Sequence, residues 1–371
     1  MKKILLKNAF IHPITQNPFY GDVLIGKGII LDIGPHLSAC SQTKIFECAG
    51  LYLLPGFIDV HTHLGLYNEG IGWPGNDAND TLEALNPHIR ALDAVYPQDP
   101  AFSDAIHSGI TTVQVMPGSS NIIGGTTSVI KTKGTNIQKM LMKETAGLKI
   151  ALGENPKRVH SYSQKNLLTR MGIMAKLREI FYEAKYCDQP EKFRIAPIVK
   201  ALKREIPVRI HAHRADDILS AIRLAEEFNL DLRIEHCTEG HLIAEELANK
   251  GLKVSVGPTL TRKSKDELKN KTWQTYRELS KKDIEVSLTT DHPYIPIQYL
   301  NICAAIAVRE GLSEQLALAG ITILPARNLG VETRIGSIEK GKDADLVLWS
   351  HHPFHFMAKP KWTMIDGEFI E

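Results

Sequence analysis

Pro55-Gly56-Phe57-Ile58-Asp59-Val60-His61-Thr62-His63 places two imidazoles, one residue apart, at the end of a hydrophobic run. In a β-strand that spacing points both rings to the same side. Two neutral imidazoles converging from one strand end suit a divalent ion such as Zn²⁺, which takes nitrogen ligands at about 2.0–2.1 Å. The same residues also read as two surface histidines after a buried strand. The rest of the chain decides between the two.

Working outward, short apolar strands alternate with helical patterns, the signature of βα units and a parallel sheet. Strand ends fall at Val60, Met116, Ile130, Leu152, Ile210, Glu235, Val256 and Thr290. Eight such units close into a (β/α)₈ TIM-type barrel, giving an α/β fold. The helix after His213 is the clearest: Ile218, Ile222 and Ala225 recur at helical spacing, and Asp216 and Asp217 sit near its positive N-terminal end. Several strands end in polar residues, as in Val208-Arg209-Ile210-His211-Ala212-His213, Leu232-Arg233-Ile234-Glu235-His236 and Val286-Ser287-Leu288-Thr289-Thr290-Asp291-His292-Pro293. In a barrel of this type those positions open on the C-terminal face, where chemistry is assembled.

The first fifty residues read as short strands punctuated by glycines, and a similar texture returns at Asp345 to Trp349 and Trp362 to Ile370. Neither end has enough strands for an independent sheet. Residues 1–52 plus 333–371 are therefore expected to form a small β-sandwich satellite domain, with the barrel over 53–332. The segment 154–205 is longer than a βα connection needs. Its helical stretches, about Met171 to Tyr186 and Glu191 to Glu205, read as an insertion over the barrel mouth.

With 371 residues and 43% hydrophobic residues, the chain can bury a sizeable core around one large domain and its satellite. A formal net charge of +2, from 44 basic and 42 acidic residues, gives no electrostatic reason to expect nucleic acid or an anionic membrane. The expected partner is a small-molecule substrate, with a homo-oligomer left open. The apolar run after Met1-Lys2-Lys3 stops after three residues, too short for a signal-peptide core, and no stretch is long enough to span a bilayer. Cys40, Cys48, Cys187, Cys237 and Cys303 are odd in number and scattered, which fits a reducing cytoplasm.

The quoted His61–His63 stretch, the strand-end His211, His236 and Asp291, and the late runs Pro325-Ala326-Arg327-Asn328-Leu329-Gly330 and Ile335 to Val347 together resemble the metal-dependent amidohydrolase superfamily over nearly the whole chain. Gly153-Glu154-Asn155-Pro156-Lys157-Arg158 and His211 to Ile218 are similar to its imidazolonepropionase-like and uncharacterised branch. The resemblance implies a hydrolase with one or two divalent ions. His61 and His63 would hold the more buried ion with Asp291, while His211 and His236 would bind a second ion or be split between metal and substrate. It implies that Asp291 takes the proton of the attacking water and passes it to the leaving amine. A helix cap is the alternative role for Asp291.

Members with two metals often bridge them with a carboxylated lysine, and Gly147-Leu148-Lys149-Ile150-Ala151-Leu152 resembles that context. Alternation sets Leu148, Ile150 and Leu152 on one face and Lys149 on the other, toward the barrel interior. The rival ligand is Glu154 at the strand end, which needs no modification. His213 could replace His211 as ligand or contact substrate, and Lys157 and Arg158 could pair with a substrate carboxylate or be solvated surface charges. Glu235 is expected to support the site from behind, and Cys237 to act as a small buried hydrophobe. The implied reaction is C–N hydrolysis of an amide, cyclic amide or dipeptide-like substrate. Deamination of an amidine or heterocycle is the alternative, and a non-catalytic scaffold a further one. Zn²⁺ fits the histidine-rich ligands best.

Overall fold

The computed structural model describes residues 3–164 and 168–370. Met1 and Lys2, residues 165–167 of the expected insertion, and Glu371 lie outside the described residues. Eight strands, β1 (Phe57–Thr62), β2 (Ile110–Val115), β3 (Ile123–Lys131), β4 (Leu141–Ala151), β5 (Val208–Ala212), β6 (Leu232–His236), β7 (Lys253–Val256) and β8 (Val286–Leu288), pair in sequence order into one sheet. The sheet is nearly closed. At the seam between β1 and β8 the buried Asp59 carboxylate accepts from Thr289 Oγ1 at 2.6 Å, Thr290 N at 3.0 Å and Thr290 Oγ1 at 2.5 Å. His63 N also donates to His292 O. A carboxylate in this interior is tolerable because every one of these contacts is a donor to it.

One expectation is corrected. The eight strands are not all parallel: β3 runs antiparallel to both β2 and β4. Its Ile130 end therefore lies on the face opposite the other strand ends. The cause is connection length, since a parallel crossover needs a dozen or more residues and only residues 116–122 join β2 to β3. The remaining connections carry helices as anticipated; the one expected after His213, Ala215–Phe228, buries Ile218, Ile222 and Ala225 and ends at Asn229 in the left-handed conformation.

The expected insertion folds into three helices. Arg170–Lys185 and Ala196–Leu202 overlap the anticipated pair, and Glu154–Gln164 precedes them. The second helix docks on Ala215–Phe228 through Arg170 Nε, 2.9 Å from Asp217, and through the Phe181 and Phe228 rings. Among the described residues no helix is long and apolar enough to cross a membrane.

The two chain ends share one eight-stranded, hydrogen-bonded sheet. Lys3–Ile11 joins its halves, pairing with Phe19–Gly26 on one edge and with Thr43–Glu47 and Tyr52–Pro55 on the other. Tyr52–Pro55 then pairs with Leu346–Trp349, which brings in the carboxyl-terminal strands. Leu6, Ile11, Leu53, Leu346 and Met364, from strands of both chain ends, pack together in one buried cluster. The chain passes from this sheet into β1 at Gly56, where a Cβ would lie 2.1 Å from Thr111 Oγ1, so only glycine fits.

Candidate metal centre

The C-terminal ends of five strands deliver the polar residues. Asp59, His61 and His63 alternate onto the interior side from β1, as do Arg209 and His211 on β5. On β6 Glu235 pairs in register with His211. His236 should then point away, yet its backbone turns left-handed at φ 72, and Asp291 after β8 sits at φ 53. Such conformations are uncommon for non-glycine residues, and here they return both side chains to the interior.

The histidines are held in one tautomer. His63 Nδ1 donates to Met116 O at 2.7 Å, His236 Nδ1 to Gly257 O at 2.8 Å, and His61 Nδ1 to Glu235 Oε2 at 2.9 Å. Carbonyls and carboxylates only accept, so each Nδ1 carries the proton and each Nε2 keeps its lone pair. His213 Nδ1 lies 2.7 Å from Thr238 Oγ1. The buried His211 has no hydrogen-bond partner at either ring nitrogen. Burial is the main cause that holds His61, His211, His213 and His236 well below the usual imidazole pKa, so all four are neutral.

Behind these rings lies a second layer. Glu235 spans from His61 to the buried Arg209, whose Nη1 is 2.6 Å from Glu235 Oε1, and Arg209 Nη2 donates to Asn328 O and Oδ1 at 3.0 Å. Gly257 holds His236 through its carbonyl in a place where a Cβ would meet Thr289 O at 2.2 Å. Cys237 is buried in the core and burial pushes its thiol to about 12.

Asp291 Oδ1 lies 3.4 Å from His61 Nε2 and 3.3 Å from His63 Nε2. Burial raises its pKa, opposed by His63 and Lys149. Lys149, on β4, points inward: its Nζ is 3.3 Å from His61 Nε2 and 3.1 Å from Met116 Sδ. Burial lowers it to about 8 against the pull of Glu235 and Asp291. In two sets, His61, His236 and Asp291, and His211, His213 and His236, one ligand atom per residue lies within 4.8 Å of the others. Neutral imidazole lone pairs, a carboxylate and an unpartnered buried imidazole are the donor set a divalent ion takes, so these residues fit one.

These groups floor a cavity of about 620 Å³. His61, His63, Lys149, His211, His213, His236, Asp291 and Arg158 line it; Lys157 and Glu154 do not. Glu154 opens the helix Glu154–Gln164, where its backbone N–H donates to Glu267 Oε2 at 3.0 Å. Among the described residues of the insertion, only this first helix reaches the cavity, through Asn155, Arg158 and Val159. The glycine-rich loops 65–79, after β1, and 117–125, after β2, contribute Tyr67, Asn79, Gly118, Ser119 and Ser120, while Trp73 in the first of them is 87% exposed.

The sequence reading passed over the loop after β7. It supplies Arg262 and Lys265 to the lining, and the buried Glu267, whose Oε1 faces His213 Nε2 at 3.6 Å and His211 Nε2 at 3.7 Å. The run Arg262-Lys263-Ser264-Lys265-Asp266-Glu267 is polar enough to look like solvated surface. Its only signal is position, following a barrel strand end.

The amidohydrolase family model matches residues 52–370. The amidohydrolase TasK of Hapsidospora irregularis is 27% identical over 94% of this chain, which spans 39% of that relative's length. An imidazolonepropionase of Symbiobacterium thermophilum is 24% identical over 88% of this chain and 84% of its own. The crystal structure of an amidohydrolase from Thermotoga maritima MSB8 superposes with a TM-score of 0.96 at 43% identity, covering 99% of both chains. With the family model matching from the last strand of the amino-terminal segment to the final strand, the chain belongs to the amidohydrolase family of metal-dependent hydrolases of carbon–nitrogen bonds.

Proposed function

We propose that this chain cleaves the C–N bond of an amide, cyclic amide or dipeptide-like substrate with one or two divalent ions, Zn²⁺ by ligand preference. One observation carries the reading: imidazole lone pairs fixed by tied Nδ1 atoms converge on Asp291 and Lys149 at the floor of a cavity open to small molecules. His61, His63 and Asp291 would hold one ion, and His211 and His236, with His213 beside them, a second. Lys149 is favoured over Glu154 as the strand-four ligand, because it reaches His61 while Glu154 stays outside the lining. At about 8 its pKa leaves free amine, which can add CO₂ to form a carbamate and release a proton.

A bound ion supplies polarisation of the scissile carbonyl and a more acidic water. The chain's residues do the rest. Asp291 removes the attacking water's proton and delivers it to the leaving nitrogen, and its burial-raised pKa suits both tasks. Glu235 and Arg209 fix the His61 ring, and Met116 O and Gly257 O fix His63 and His236. The partner is a small-molecule substrate, and the five free cysteines fit a reducing cytoplasm.

The test is a panel of N-acylamino acids, lactams, hydantoins and dipeptides assayed after chelation and again after Zn²⁺ is restored. Turnover should appear only with metal, and Asp291→Asn should lower kcat by roughly 10²–10⁴-fold. No turnover in the metal-replete protein, or turnover indifferent to chelation, overturns the proposal. Ammonia released from amidine heterocycles alone would move the substrate class to deamination.

A further inference from the structure

The polar groups around the cavity mouth differ from those at its floor in one respect: what they still have to offer is almost entirely hydrogen-bond donors and positive charge. Arg158, from the helix Glu154–Gln164, and Arg262, from the loop after β7, both line the cavity, and neither has an ion pair or side-chain hydrogen bond among the described residues. Exposed arginines normally find a carboxylate or face bulk solvent. These two face a shared cavity whose one lining carboxylate, Asp291, belongs to the floor.

The neighbouring groups are tied so that their acceptors are used. Lys265 Nζ is 2.5 Å from Glu267 Oε1 and donates to Asn155 Oδ1 at 3.1 Å. Asn155 Nδ2 donates to Ser119 Oγ at 2.8 Å, leaving the Ser119 proton to be given elsewhere. Asn79 Nδ2 donates to the Tyr67 hydroxyl at 3.1 Å, and that hydroxyl is also hydrogen-bonded with Tyr294. A ligand seated here meets two guanidiniums without ion pairs and the Ser119 hydroxyl donor. The protein as a whole has a net charge of only +2, so this is a local arrangement, not an overall basic character.

We propose that the mouth is a carboxylate subsite in which Arg158 and Arg262, with the Ser119 hydroxyl, hold an acidic group of the substrate while its C–N bond lies over Asp291. The substrate class is then an N-acyl or ring-closed amide that carries a free carboxylate. This rests on the hydrolase reading above and adds the substrate's charge. Lys157, next to Arg158 in sequence but outside the lining, takes no part.

The test compares N-benzoylglycine with its uncharged primary amide, by calorimetric binding to the full-length, Zn²⁺-loaded chain. The acid should bind at least about 10-fold more tightly, given the strength of charge-assisted hydrogen bonds. Arg158→Gln and Arg262→Gln should each reduce that preference about 5-fold, the double variant should abolish it, and Lys157→Gln should change it less than about twofold. Both arginines are exposed and have no ion pair among the described residues, so the variants are expected to fold, which circular dichroism checks. Equal affinity for acid and amide, binding of neither, or a preference that survives in the double variant overturns the proposal. Metal-dependent turnover without an acid preference would leave the hydrolase reading standing and remove this one. An acid preference without turnover would do the reverse.

Discussion

At the residue scale, Lys149 is the group whose chemistry is most altered by its place. Its neutral form is favoured in the fold, with a pKa near 8 against an ordinary lysine near 10.5. Below pH 8 the lysine is charged in both folded and unfolded chains, and the folded, metal-free protein carries the full cost of burying the ammonium. Between 8 and 10.5 the unfolded chain binds the extra proton, so stability rises with pH across that window. Lys149→Met should therefore stabilise the metal-free protein by on the order of 3 kcal/mol more at pH 7 than at pH 10.5, read by urea denaturation. Equal effects at the two pH values would contradict the assignment. The inward aim of Lys149 was legible in the alternation around it. The joint inward aim of Glu235 and His236 was not, because it depends on one left-handed backbone position that no residue type announces.

At the scale of elements, strand existence was readable and strand direction was not. Apolar runs have no polarity, and β3 looks like any other buried strand. The connection before it is the signal that could have revealed its reversal, being too short for a parallel crossover. The reversal also puts Lys131 at the face away from the cavity, where the terminal sheet meets the barrel. Its Nζ lies 2.5 Å from Asp345, 3.0 Å from Asp343 and 3.1 Å from Asp366, with Lys131 and Asp345 both buried. Asp343 and Asp345 belong to the late run whose resemblance helped to place the chain, and their physical task here is to clamp β3. Removing one partner of a buried ion pair costs roughly 3–5 kcal/mol because the other charge is left unpaired. Lys131→Met should destabilise the protein by that amount in denaturant while its metal content stays unchanged. A loss under about 1 kcal/mol would show that the clamp is not holding the two sheets together.

At the scale of the whole molecule, a nearly closed barrel brings residues more than 200 positions apart into one cluster, with the seam between β1 and β8 laced by Asp59. The histidines and Asp291 could be found from sequence because each follows an apolar strand. Glu267, Lys265 and Arg262 could not, because a charged loop carries no periodicity. The central claim is that this cluster binds catalytic metal with Lys149 as the strand-four ligand. The measurement that tests it most directly is elemental analysis of metal per chain for the wild type, Lys149→Ala and Glu154→Ala. The account predicts two ions in the wild type, a loss with Lys149→Ala and none with Glu154→Ala. An unchanged content in Lys149→Ala, or no metal in the wild type under metal-replete conditions, would contradict it.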